Sequence, residues 1–379
     1  VTVVLIDEGE KGPDGNYIVA LIKGEENYEN LEYGLKETIE EMQIDNIEFK
    51  AKKISIHYYL GGDYKFLLKV VGLEAANSSY PCLWCEAPKE KLYETKNFEK
   101  RSLTSMENCL KKSSKSDKKA CASRNLFPMI PINRVVVDNL HMFLRITDRL
   151  LNLLVLELRR QDGISLTKPL RKIANKMANM TKFEATLKRH GILFYWRSED
   201  GNLTYPDLRG PEKLKLYKFI NIKQLLPNFS KSKNIQKLWN NFDSISRKLR
   251  SDKFTKTELK TLKNDISNWR TLFLQLYQTC DITPYIHILH KHVPEMLMEH
   301  GNINVFCQQG LEKTNDILSK NFFRGTNQST DSLKQLFQKH KRIQYFEDHD
   351  YPRKKRKYCC TICGDVGHTK QSHRTENDK

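Results

Sequence analysis

The sequence has no apolar run approaching the roughly 20 residues that a bilayer span requires, and no signal-peptide pattern opens it. Helical membrane proteins and secreted proteins are therefore set aside, and a soluble intracellular protein is expected. A disulfide framework is also lacking. The nine cysteines are scattered over 379 residues, and several stand in pairs suited to a metal, so they read as reduced. No internal repeat is present, which argues against solenoids and propellers. Acidic residues are the minority charge: 46 Asp and Glu against 64 Lys and Arg leave a formal net charge of +18. Such an excess suits a partner with dense negative charge, nucleic acid first, although lysine-rich composition also arises without one. What is present in quantity is apolar residue content, 39% of the chain, enough for two or three domains with real cores. The first residue is Val1, within a strand-like run and without an initiator methionine, so further sequence upstream is expected.

Hydrophobic periodicity divides the chain. Residues 1–95 mix expected strands (1–7, 16–22 and a long run over 47–60) with one helix over 30–43, an α/β opening. Residues 96–132 begin with a polar Lys/Ser-rich stretch that reads as a mobile surface excursion, either a linker or a phosphate contact. Helical spacing takes over across 133–300, with segments near 166–190, 211–226, 232–250, 255–279 and 283–300, and two more helices are expected within 301–347. Residues 348–379 form a basic, Cys/His-rich tail. The fold class expected is α+β.

Two groups of residues have metal-ligand spacing. Cys82 and Cys85 are separated by two residues, so that a tight turn can aim both sulfurs at one tetrahedral ion. His287, His290 and His292 lie about 200 residues later on a helical stretch, and His287 with His292 would complete a Cys2His2 zinc centre. The alternative is a pair of ordinary buried thiols and a solvated histidine face. In the tail, Cys360, Cys363, His368 and His373 follow the rhythm of a zinc knuckle, with Gly367 before His368, although the last ligand is His in place of Cys. Cys359 could replace Cys360. Upstream of them, Arg353, Lys354, Lys355, Arg356 and Lys357 form a run that can contact phosphates, serve as a nuclear-import signal, or be a generic basic tail.

Three stretches together resemble the catalytic subunit of the V(D)J recombinase and its transposon relatives, the ProtoRAG and Transib DDE transposases. They are GGDYKFLLKVVGLEAANSSYPCLWC at 61–85, IPINRVVVDNLHM at 130–142 and HILHKHVPEMLMEHGNINVFCQQGLEKTND at 287–316. The likeness extends over about residues 1–330. It implies a partial ribonuclease H-like α/β domain interrupted by a large all-α insertion, followed by the zinc knuckle. It also implies catalytic carboxylates at Asp63 and Glu312 holding Mg²⁺ or Mn²⁺, and a zinc site formed by Cys82, Cys85, His287 and His292. The expected partners are double-stranded DNA (transposon ends or recombination signals), a second copy of the chain and a second recombinase subunit. The expected location is the nucleus. The family's first catalytic Asp falls upstream of the region similar to Val1; Asp7 ends an apolar run but sits in a later strand by this register. Asp138 and His141 belong to an Asp-x-Leu-His segment, where Asp reads as a helix N-cap with His packed nearby; Asp138 is a second outside candidate for the missing carboxylate. Two other functions remain open: a domesticated relic that binds DNA without catalysis, and a zinc-knuckle RNA-binding protein.

Overall fold

A computed structural model describes residues 1–6, 12, 15–164, 177–199, 202–251 and 254–349. The chain divides into two compact units, Val1–Thr314 and Asn315–Lys379. The α+β class holds, with small sheets and many helices.

The β content is smaller than the sequence suggests. The opening strands shrink to β1 (Thr2–Val3) paired with β2 (Tyr17–Ile18), followed by helix α1 (Tyr28–Glu41). The long β run becomes a hairpin, β3 (Asn46–Phe49) and β4 (Lys52–Ser55), turned by Lys50 and Ala51 at φ 49° and 57°. Two consecutive left-handed residues make the turn whose twist matches the strands, so the pair closes locally. Its Ile47, Phe49 and Ile54 are exposed, because no other described strand pairs with it.

The strand pair that matters for the site is different. β5 (Leu60–Gly62) lies parallel to β6 (Val135–Val137), with Leu60 opposite Val135 and Gly62 opposite Val137. Parallel partners need a crossover, and a strand covered on both faces reads as an unbroken apolar run, as the three fully buried valines do. The crossover begins with α2 (Tyr64–Val71), whose Leu67, Leu68, Val70 and Val71 are all buried. Gly72 ends α2 at φ +84°, with Leu73 N–H returning to Leu68 O at 2.7 Å. A Cβ at Gly72 would come within 2.1 Å of Ser123 O.

The stretch after residue 96 is not a free excursion. It contains α3 (Leu103–Leu110) with Met106 buried, and buried Arg101 donates to the carbonyls of Cys82 at 2.9 Å and Lys119 at 2.7 Å. One guanidinium offers five donors, so a single side chain holds both ends of this segment against the Cys82 turn. The composition of the loop hid this, because the lysines face water while Arg101 does the anchoring.

The helices follow the expected periodicity closely. α4 (Asn139–Gln161) buries Met142, Phe143, Ile146, Leu150, Leu154 and Leu158 along one stripe. α5 (Ala178–Arg189) is followed by a small hairpin, β7 (Arg197–Glu199) and β8 (Asn202–Thr204), that the helical pattern did not announce. The segment expected over 211–226 splits into α6 (Gly210–Phe219) and α7 (Ile222–Leu225), with Asn221 capping the second. α8 (Ser232–Leu249) and α9 (Lys256–Leu276) pack through Trp239, Phe242, Trp269 and Phe273, all fully buried. The segment expected over 283–300 also splits, into α10 (Pro284–Lys291) and α11 (Val293–His300), because Pro294 has no N–H to continue the first helix. α12 (Gln309–Gly325) and α13 (Ser332–Asp348) complete the described chain. One continuous core runs from Leu31 to Ile303, so the strands and the large helical region share it.

Gly72→Ala should lower stability by about 2–4 kcal/mol, because it adds left-handed strain to a backbone collision. Denaturant unfolding measures this, and a variant as stable as the parent would contradict the Gly72–Ser123 packing.

Candidate metal centre and carboxylate cluster

The Cys82 turn follows directly from α2. Tyr64, the first residue of α2, accepts from Leu83 N–H at 3.1 Å through its hydroxyl and donates to Pro81 O. Trp84 Nε1 donates to Val135 O at 2.8 Å and fastens the same turn to β6. The two sulfurs therefore sit on a loop held to α2, β6 and Arg101 at once. The histidines come from the other end of the helical region: His287 lies inside α10, and His292 sits at the break between α10 and α11.

These four residues meet. Cys82 Sγ lies 3.3 Å from His292 Nε2, and Cys85 Sγ lies 3.4 Å from His287 Nε2. All four ligand atoms are within 4.8 Å of one another, and all four residues are buried. Tetrahedral zinc, with Zn–S about 2.3 Å and Zn–N about 2.0 Å, requires ligand-to-ligand edges of roughly 3.3–3.8 Å. The group can hold a zinc ion, and with four buried protein ligands it has the closed form of a structural site.

The surroundings suit that task. His287 Nδ1 donates to Leu92 O at 2.9 Å, which leaves Nε2 as the lone-pair nitrogen facing the sulfurs. His292 Nδ1 faces Glu295 at 3.5 Å, and Glu295 is itself paired with Lys100 at 3.3 Å. His290 is not a ligand: its Nε2 lies 3.0 Å from the same Leu92 carbonyl, and burial followed by the neighbouring His287 pushes its pKa down to about 3. It stays neutral and donates. The Cys85 thiol is pulled down to about 2 by the hydrogen bond from Cys82, with His287 and His292 adding to it, while burial pushes Cys82 up. A divalent cation held here displaces the thiol protons and binds both sulfurs as thiolates.

A second cluster lies at the C-terminal ends of the parallel strands. Asp63 follows β5 and Asp138 follows β6, so continuing the register by one residue sets them opposite each other. Each caps the helix it precedes. Asp63 Oδ1 accepts from Phe66 N–H at 2.8 Å. Asp138 is almost wholly buried: Oδ1 accepts from Leu140 N–H at 3.2 Å and Gln308 N–H at 3.0 Å, and Oδ2 accepts from His141 N–H at 2.9 Å and meets His141 Nδ1 at 2.5 Å. Four donors use the four lone-pair sites of a carboxylate. The N-cap expectation for Asp138 is therefore what the structure has, and no lone pair is left for a cation. Glu312, in the first turn of α12 and 50% exposed, places Oε1 3.6 Å from His141 Nε2. Burial alone would depress the His141 pKa, but the hydrogen bond and charge of Asp138, then the charges of Glu312 and Asp63, hold it above the ordinary value.

Sequence reasoning named the four residues that meet as a possible zinc site; it also named Asp63 and Glu312, which the structure sets around His141. It missed Arg101, Leu92 O and the Asp138 bond to Gln308, none of which has a spacing signal. Asp7, the knuckle residues Cys360, Cys363, His368 and His373, and the run Arg353, Lys354, Lys355, Arg356 and Lys357 lie outside the described residues. The chain matches no protein-family model and no curated protein.

Atomic-emission zinc analysis should show the loss of about one equivalent in Cys82→Ser or His287→Ala, with loss of cooperative melting, and full retention in His290→Gln. Unchanged zinc in Cys82→Ser would rule out the four-ligand centre.

Proposed function

We propose that this chain is the catalytic core of a DDE-type DNA recombinase or transposase, performing metal-dependent strand nicking and transfer on a ribonuclease H-like framework. The observation that carries the reading is convergence. Asp63, the Asp138–His141 segment and Glu312 come from the three stretches that resemble the V(D)J recombinase family, and they gather at one end of the β5–β6 pair. Sequence likeness alone does not require them to meet.

Asp63 keeps Oδ2 free of its capping bond, and Glu312 is half exposed against His141 Nε2. Both can turn an oxygen toward Mg²⁺ or Mn²⁺. Bound there, such ions would activate the attacking oxygen and stabilise the leaving one. Water attacks phosphorus, the P–O3′ bond breaks, and a 3′-hydroxyl and a 5′-phosphate result. That hydroxyl then attacks the phosphorus of a second phosphodiester, on the opposite strand or on target DNA: a new P–O3′ bond forms as it loses its proton, the existing P–O3′ bond breaks, and the expelled oxygen takes up a proton as a new 3′-hydroxyl. The net charge of +18 supports double-stranded DNA as the partner, at transposon ends or recombination signals. A dimer pairing two DNA ends, a second recombinase subunit and a nuclear location belong to the same proposal, as do Mg²⁺ or Mn²⁺ and a zinc-binding tail.

One observation favours a second reading, DNA binding without catalysis. Two-metal chemistry by this family uses three carboxylates, and Asp138 is fully bonded, so the cluster supplies two free ones, Asp63 and Glu312.

Nicking of duplex DNA carrying the element's own ends, in Mg²⁺ or Mn²⁺, separates the readings. The enzyme reading expects activity that drops about 100-fold or more in Asp63→Ala and Glu312→Gln, with DNA affinity kept within about threefold. Tight DNA binding with no nicking by the parent chain would instead establish the binding-only reading.

A further inference from the structure

Asp138 joins three parts of the chain. It follows β6, caps α4, and reaches across 170 residues to accept from Gln308 N–H at 3.0 Å. Gln308 is where α12 starts, since Glu312 N–H returns to Gln308 O at 2.9 Å. A buried carboxylate thus fixes the first turn of the helix that carries Glu312. The same carboxylate fixes the His141 ring through Nδ1, which leaves Nε2 3.6 Å from Glu312 Oε1. At that separation Nε2 lies just beyond hydrogen-bond range of the carboxylate, where a polar N–H donor at this position faces it. Glu312 is accordingly held by two routes from one anchor: through the backbone of α12, and through the imidazole. A half-exposed glutamate on the first turn of a helix would otherwise sample several rotamers, each placing its oxygens differently relative to Asp63.

We infer that Asp138 and His141 are a positioning pair for the Glu312 carboxylate, Asp138 acting through the Gln308 N–H that starts α12 and His141 acting through its Nε2. Neither is a metal ligand in this account. The inference rests on the proposal that Asp63 and Glu312 share a divalent cation. It goes further by giving the Asp-x-Leu-His segment a task distinct from capping α4.

Two substitutions split the ring's two functions. Asn at 141 keeps an amide donor where Nδ1 meets Asp138 and loses the reach to Glu312. Gln at 141 puts its amide near the position of Nε2 and loses the Asp138 bond. A purely structural role for His141, completing the cap, makes Asn the better-tolerated replacement; a positioning role makes Gln the better one.

The test is Mn²⁺ binding to the full zinc-loaded chain, followed by the electron paramagnetic resonance signal of free Mn²⁺, with melting temperatures recorded for each variant. We expect His141→Asn to weaken binding about tenfold, and His141→Gln to stay within about threefold of the parent. In a Glu312→Gln background, His141→Asn should change nothing further. The inference is overturned when Asn binds Mn²⁺ as well as or better than Gln, or when His141→Asn costs the same factor with and without Glu312. A parent chain that binds Mn²⁺ no better than Asp63→Ala is a separate result, and overturns the shared-cation proposal together with the inference built on it.

Discussion

The arrangement depends on bringing Cys82 and Cys85 to His287 and His292. Cys85 and His287 are 202 positions apart, and closing a loop of that length carries an entropy cost that grows slowly with length. Without a cation the buried thiols and imidazole nitrogens have only weak S–H···N contacts with one another, so little offsets the cost of closure. A zinc ion bound there would supply the missing energy, since apparent binding energies are about 10–16 kcal/mol in small zinc domains. Once the centre is closed, α10 and α11 are fixed against the Cys82 turn, and that turn is fixed by Trp84 to β6 and by Tyr64 to α2. The short connection from α11 to Gln308 then starts from a defined place.

The parallel pair supplies the second constraint. Because β5 and β6 run in the same direction and in register, the residues that follow them emerge side by side and each begins a helix. An aspartate at such a position is pulled two ways. Helix N-termini want a carboxylate acceptor, and a cation site wants the same lone pairs. Asp63 gives one oxygen to its cap and keeps one. Asp138 gives both. The two aspartates look alike in sequence, yet one keeps an oxygen free of its cap and the other is wholly engaged in the scaffold.

That difference marks how far the sequence can be read. The CxxC and the His287/His292 spacing were legible because metal geometry restricts which residues can serve, and the helices were legible because a 3.6-residue stripe survives any tertiary context. The β-rich run over 47–60 was legible and holds β3 and β4, whereas the strands expected over 1–7 and 16–22 were overread, because their described pairing extends over only two residues each. The Lys/Ser-rich stretch lies exposed as read, but its tie to the Cys82 turn was not legible, because the anchor is a single arginine among many exposed cations. The Asp138–Gln308 bond could not be read at all, since a backbone N–H has no residue identity. The break at His292 was legible in hindsight from Pro294, whose missing donor ends α10 beside a ligand.

The central claim is that the zinc closure organises the carboxylate cluster. Hydrogen–deuterium exchange before and after chelation of zinc tests it most directly. The account predicts that protection falls at residues 82–92 and 284–297 and that the loss extends to the start of α12, around Gln308 and Glu312, and to the Asp138–His141 cap. Protection at Gln308, Glu312 and His141 that is unchanged when the Cys82–His292 region opens would contradict it, and would make the two clusters independent.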